Sequence, residues 1–142
     1  MTIYNPNHQE EKAFFRIGQK AIILNEYGEM LLLLRSQKSG NGGQWSLAGG
    51  GLEANEDPYQ GLEREIREET QLAVTHIKPF TLFSYQSDKG ESIVIIGYSC
   101  MVKKGEVILN WEHDQFKWVK RVEAFTMKLG SHARFLIERF ES

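Results

Sequence analysis

One cysteine, Cys100, stands in 142 residues. No internal disulfide can form, so a disulfide-stapled secreted scaffold is excluded. In the apolar stretch Ile93–Val102 the thiol reads as a small hydrophobe. Long apolar runs are missing too. The longest, Met30–Leu34, covers five residues, against the roughly 20 that a membrane-spanning helix needs. Excess positive charge is absent: 17 Lys and Arg face 19 Asp and Glu, for a formal net charge of −2. No basic surface is available for a long nucleic acid. A small anionic substrate stays open, because a bound metal ion supplies positive charge locally. Residues 1–10 show neither a basic n-region nor an apolar h-region, and a cytoplasmic protein is the expectation. Repeats, low-complexity tracts and linkers between domains are also missing.

What is present suffices for a core. Hydrophobic residues make up 41%, charged residues 25%, with eight Phe, five Tyr and three Trp. One domain over residues 1–142 is expected, with polar residues 1–12 as a flexible arm. Ala21–Leu24 and Met30–Arg35 flank a turn-like segment with Gly28, and read as a hairpin. Both runs are nearly continuous, so both faces of these strands should be covered. Ser36–Gly43 reads as a mobile loop. Trp45–Leu47 reads as a short strand that Gly49-Gly50-Gly51 ends. Asp57 and Pro58 open a helix as N-cap and first residue, and Tyr59, Leu62 and Ile66 give it an apolar stripe. Gly61 inside it reads as a close-packing point against the sheet. Strands follow at Thr81–Tyr85, Ser92–Val102, Val107–Leu109 and Phe116–Val119. Ser131 is placed to cap a last helix, His132–Phe140. This order predicts an α+β fold with helices covering a mixed sheet.

Glu65, Glu68 and Glu69 recur at i, i+3 and i+4 and share one stripe of the predicted helix. Like charges so placed repel by about 0.2–0.5 kcal/mol per pair, a repulsion that a hard divalent cation converts into ligation. Alone, the pattern reads first as a solvated acidic face. The wider spacing decides. Gly50, five residues, Glu56, seven residues, then Arg64-Glu65-Ile66-Arg67-Glu68-Glu69-Thr70-Gln71-Leu72 resembles the signature of the Nudix family, Gly-x5-Glu-x7-Arg-Glu-U-x-Glu-Glu-x-Gly-U with U aliphatic. Such a match arises by chance in fewer than about one window in ten million. Trp45-Ser-Leu-Ala-Gly-Gly50 resembles the strand leading into that box. Gln71 departs from the box glycine, a residue that fits the left-handed conformation at a helix end, and Ala48 stands where many relatives have proline.

The resemblance implies a Nudix-like α/β/α sandwich: a mixed sheet between the box helix and a C-terminal helix. It implies Mg²⁺, with Mn²⁺ as a substitute, held by Glu65, Glu68, Glu69 and the carbonyl of Gly49. Arg64 is implied to orient the carboxylates and Glu65 to help deprotonate the attacking water, while Glu56 is structural. Relatives often place a glutamate six residues before a tryptophan, where Glu112 precedes Trp118; Glu112 is thereby a further ligand or the general base. Its neighbours His113 and Asp114 share the polar segment, which reads equally as a solvated loop. Arg35, Lys38 and Trp45 are candidates to touch substrate; the first two read equally as solvated loop charges and Trp45 as core packing. The reaction implied is hydrolysis of a phosphoanhydride in a nucleoside-diphosphate-linked substrate, foremost a (deoxy)nucleoside triphosphate giving monophosphate and pyrophosphate. The partner is then a small-molecule nucleotide, with neither long nucleic acid nor membrane; a homodimer stays open. The alternatives are an ADP-ribose or nucleotide-sugar hydrolase, and a catalytically silent domain that binds a nucleotide or a protein.

Overall fold

The computed structural model describes residues 4–141. Strands β1 (Phe15–Leu24) and β2 (Met30–Arg35) are joined by a turn in which Gly28 takes φ 74° and donates its N–H to Asn25 O at 3.1 Å. Two short strands, β3 (Trp45–Ser46) and β4 (Ala48–Gly51), lead to helix α1 (Pro58–Thr70). Then come β5 (Ala73–Gln86), β6 (Ser92–Lys104), β7 (His113–Val119), the short helix α2 (Arg121–Ala124) and helix α3 (Ser131–Arg139).

Alternate side chains of a strand point to opposite faces, and here both faces carry a core. Ile22, Met30 and Leu32 pack with Ala133, Leu136 and Ile137 of α3. Ala21, Ile23, Leu31 and Leu33 pack with Leu62 and Ile66 of α1. The continuous apolar runs are thus explained by a sandwich, with α1 on one face of a mixed sheet and α3 on the other. Cys100 is buried in the α1-side core, and burial pushes its thiol up to about 12.

The sheet order is β3-β2-β1-β6-β5, with β4 on β1 and β7 on β2. The hairpin is narrower than its two runs suggest. Only Leu24 and Met30 are registered across it; β1 turns to parallel β6 and antiparallel β4, and β2 to β7 and β3. The glycine run does not end a strand: Gly49, Gly50 and Gly51 lie opposite Lys20, Gln19 and Gly18. Val107–Leu109 is not a strand, because Ile108 N–H is spent on Thr70 O at the end of α1, at 3.0 Å. Ser131 makes no capping hydrogen bond; Gly130 occupies the N-cap of α3. α2 is an element without a sequence expectation. Gly61 packs against Leu52 and Glu56 of the preceding loop, where a Cβ would meet atoms at 2.8 Å, and not against the sheet. Ser36–Gly43 carries its own turn bonds, among them Ser39 N–H to Ser36 O and Gly43 N–H to Arg35 O. Residues 4–12 are exposed and hold no helix or strand, while 1–3 of the expected arm lie outside the described residues. No helix among the described residues is long and apolar enough to cross a membrane.

Candidate active site

α1 starts where expected. Asp57 is the N-cap and its carboxylate accepts from Gln60 N at 3.1 Å. The helix ends at Gln71, which takes the left-handed conformation (φ 61°) and donates its N–H to Arg67 O. Along the buried face Leu62 and Ile66 are followed by Glu69 at i+7 and i+3, so helical geometry directs a carboxylate into the protein. Glu69 is 2% exposed. Tyr59, by contrast, is half out of the stripe, 45% exposed, with its ring edge-on to Tyr98.

The glycine strand β4 receives this carboxylate. Gly49 N–H donates to Glu69 Oε1 at 2.9 Å. Gly49 has φ 147°, and a Cβ there would lie 1.9 Å from Gln19 O. At Gly50 a Cβ would lie 2.5 Å from the Glu65 carboxyl carbon, so the bare backbone is the floor on which Glu65 rests. Burial pushes Glu69 up to about 7; Lys20 and the Gly49 N–H oppose this, and the charges of Glu112 and Glu65 add to it. Burial likewise raises Glu65, against the pull of Arg64.

Arg64 ties the loop before α1 to the helix. Its Nε and Nη2 grip Glu56 at 2.7 and 3.0 Å, a bidentate pair, while Nη1 reaches Glu65 at 3.0 Å and Glu68 at 3.4 Å. The guanidinium holds Glu56 down at about 2. Glu56 is accordingly a brace for Arg64, in line with its expected structural place. Glu68 is the open member of the triad, its side chain 55% exposed.

Glu112 sits in the turn before β7, where its carbonyl accepts from Ser36 N at 2.9 Å and its N–H donates to Asn110 Oδ1 at 3.0 Å. Its charge acts on Glu65, Glu69 and Lys20. The tertiary fold therefore brings it within electrostatic range of Glu65 and Glu69, from 43 positions beyond Glu69 in the chain. Asp114 is exposed, and His113 between them is buried; the segment is not the uniform solvated loop that its polarity allows.

A cavity of about 500 Å³ is lined among others by Lys20, Arg35, Ser46, Tyr85, Asp88 and His132. Arg35 is steadied by its Nε donating to Gly40 O at 2.8 Å. Lys38 is exposed on the neighbouring loop and does not line the cavity. Trp45 packs on the α3-side core and its backbone bonds Lys128 and Gly130, so its side chain serves the sandwich. Two residues escaped the sequence reading. Lys20, whose Nζ donates to Leu47 O at 3.4 Å, is lowered by burial and by the charge of Arg35, with Glu69, Glu65 and Glu112 opposing. Gln19 is fully buried and donates to Pro58 O and Tyr98 Oη at 2.9 and 2.8 Å, locking the start of α1 to β1. The available signal was a Gln-Lys pair directly before the apolar run of β1, a polar interruption in a strand covered on both faces.

The donor set of Glu65, Glu68, Glu69 and Glu112 is all oxygen and suits a hard divalent cation. Among the described residues no group of three or more His, Cys, Asp and Glu side chains is yet drawn together around one point. The carboxylates are instead tied to Arg64 and to Gly49 N–H. Burial raises both Glu69 and Glu65, and the charge of Glu112 adds to each; a cation beside them would relieve both effects.

The NUDIX domain profile matches residues 15–140. The nucleoside triphosphatase NudI of Klebsiella pneumoniae is 30% identical over 128 residues, covering 83% of this chain and 91% of that protein. NudI of an Enterobacter species is 32% identical over 123 residues, covering 80% and 87%. Among solved structures, the MutT protein of Methanosarcina mazei superposes with a TM-score of 0.75 at 30% identity, covering 92% of this chain and 95% of that one. With the box helix, its glycine floor and the sandwich around them, the chain belongs to the Nudix family, whose members generally need a divalent metal, and is a hydrolase of phosphoanhydride bonds.

Proposed function

We propose that the chain is a Mg²⁺-dependent pyrophosphohydrolase of (deoxy)nucleoside triphosphates, releasing the monophosphate and pyrophosphate, with Mn²⁺ as the substitute ion. The observation that carries this reading is the position of Lys20: it lines the cavity and at the same time lies in the field of Glu69, Glu65 and Glu112. A polyanion in the cavity is thereby brought to the carboxylates. Arg35 adds a second cation to that wall, and Tyr85 and His132, ring centroids 5.1 Å apart, add flat surfaces for a base. The NudI relatives are nucleoside triphosphatases, which favours this substrate class over ADP-ribose and nucleotide sugars.

Glu65, Glu68, Glu69, Glu112 and the Gly49 carbonyl would hold the cation, which when bound neutralises phosphate charge and acidifies a water. Arg64 holds Glu65 and Glu68 in register. Glu65 or Glu112 takes the proton of the attacking water, and Lys20 and Arg35 steady the phosphates. Lys38 and Trp45 stand off the cavity and take no part in the chemistry.

Hydrolysis of nucleoside triphosphates, nucleotide sugars, ADP-ribose and dinucleoside polyphosphates, each with Mg²⁺, Mn²⁺ or chelator, tests the reading. Phosphorus NMR is expected to show monophosphate and pyrophosphate from the triphosphates. Diphosphate and inorganic phosphate as first products would refute the cleavage position. Faster turnover of ADP-ribose or a nucleotide sugar would refute the substrate class.

A further inference from the structure

His113 is buried to 4% exposure, and neither ring nitrogen has a hydrogen-bond partner among the described residues. An unpaired buried polar group costs about 1–3 kcal/mol, so two on one ring call for a reason. The ring's surroundings give one. Nδ1 lies 3.9 Å from Glu69 Oε2, beyond hydrogen-bond range but within about 1 Å of it. The other carboxylate oxygen, Oε1, is already fixed by Gly49 N–H at 2.9 Å. His113 is also the first residue of β7, opposite Arg35 at a register shift in the β2–β7 ladder, so its backbone has a defined place facing α1.

We propose that His113 is a positioning residue for Glu69: its Nδ1–H donates to Glu69 Oε2, so that Gly49 and His113 grip the carboxylate from both ends and aim its remaining lone pairs at the cation. This rests on the assignment of Glu69 as a ligand in the function proposed above. Each carboxylate oxygen accepts more than one bond, so a hydrogen bond from His113 leaves Oε2 able to ligate. A neutral imidazole suffices for this, with one nitrogen donating. The inferred arrangement resembles the hydrogen bonds that orient metal ligands from behind, whose loss commonly costs about 10–100-fold in affinity or rate.

The test compares His113→Leu, which fills the space without a donor, with His113→Asn, whose amide can stand in for Nδ1. Mn²⁺ affinity is measured by electron paramagnetic resonance without substrate, alongside kcat, KM and thermal midpoint. For His113→Leu the midpoint is expected to hold or rise, Mn²⁺ affinity to weaken about tenfold, and kcat to fall by a similar factor with KM little moved. His113→Asn is expected to recover most of both losses. If His113→Leu does not fold, His113→Met, which likewise has no donor, takes its place with the same expected loss. Mn²⁺ affinity and kcat within twofold of the parent in the donor-deleted variant overturn the proposal, as does an Asn variant no better than Leu. Coupling of an imidazole nitrogen to bound Mn²⁺ would overturn it differently, by making His113 a ligand. An unmodified protein that binds Mn²⁺ but hydrolyses no nucleotide would remove the proposed function and leave the affinity comparison standing.

Discussion

The two helices that cover the sheet are built by opposite rules. α3 buries Ala133, Leu136 and Ile137, and its outer side is finished by Arg139 stacked 3.4 Å over the Phe135 ring. Nothing charged in it is buried. α1 buries Leu62 and Ile66 in the same way, and then Gly61, Glu69 and Thr70 as well. Thr70 is satisfied locally, its Oγ1 donating to Ile66 O at 2.6 Å and accepting from Leu72 N at 3.1 Å. Glu69 has one strong partner, Gly49 N–H, and an imidazole out of bonding range. Such local violations gather where chemistry outranks stability. One helix holds the sandwich together; the other holds carboxylates against a glycine floor and depends on the sandwich to do so.

If that division is real, substitutions should separate stability from turnover. The largest effect belongs to α3. Leu136 is fully buried, with its methyls against the bare backbone of Gly97. Leu136→Ala removes that packing and should lower stability by about 2–5 kcal/mol, measured by urea unfolding, with kcat of the folded fraction within a few-fold. A loss of turnover at full folding would dissolve the comparison. Next comes Glu69→Gln, which keeps the shape and removes a charge. Turnover should fall on the order of a hundredfold, about 2.7 kcal/mol. Stability should hold, since burial already disfavours the charged form of Glu69. Near-normal turnover in Mg²⁺ would remove Glu69 from the site. Smaller again is Glu112→Gln, expected to lower turnover about tenfold, a loss typical of one supporting ligand, whereas exposed Asp114→Asn should leave it unchanged. Equal, mild effects from the pair would deny Glu112 its special place.

How far the chain could be read before folding follows the same division. α1 was legible from Asp57-Pro58 at one end to the left-handed position at the other, because caps and the 3.6 period are local signals. The sandwich was legible from the unbroken apolar runs of β1 and β2. β4 was not, because three glycines look like a terminator until β1 supplies the opposite half of the ladder. Val107–Leu109 has strand composition, yet its backbone is spent on the end of α1. Of the site, the box carboxylates and Arg64 were visible in their spacing, and Glu112 through its distance from Trp118. Lys20 and Gln19 were not, since what marks them is burial beside a charge or a helix end that lies far away in sequence.

The smallest predicted effect sharpens the comparison within α1 itself. Gln71 closes the helix at φ 61°, where an L side chain crowds its own backbone by roughly 1 kcal/mol and glycine does not. Gly105, itself at φ 107°, approaches this cap so closely that a Cβ on it would lie 3.1 Å from Gln71 O. The Gln71 side chain is exposed, so deleting it forfeits little packing. Gln71→Gly relieves the left-handed strain but also loosens the unfolded chain, which returns part of the gain. The net expectation is a rise in stability of about 0.5 kcal/mol with kcat unchanged, read as a small upward shift of the urea midpoint at constant slope. A fall in stability would mean that the αL strain is not what Gln71 costs the helix. A changed kcat would mean that the end of α1 sets the aim of Glu69 two residues earlier, and that the functional helix is tuned from its cap as well as from its floor.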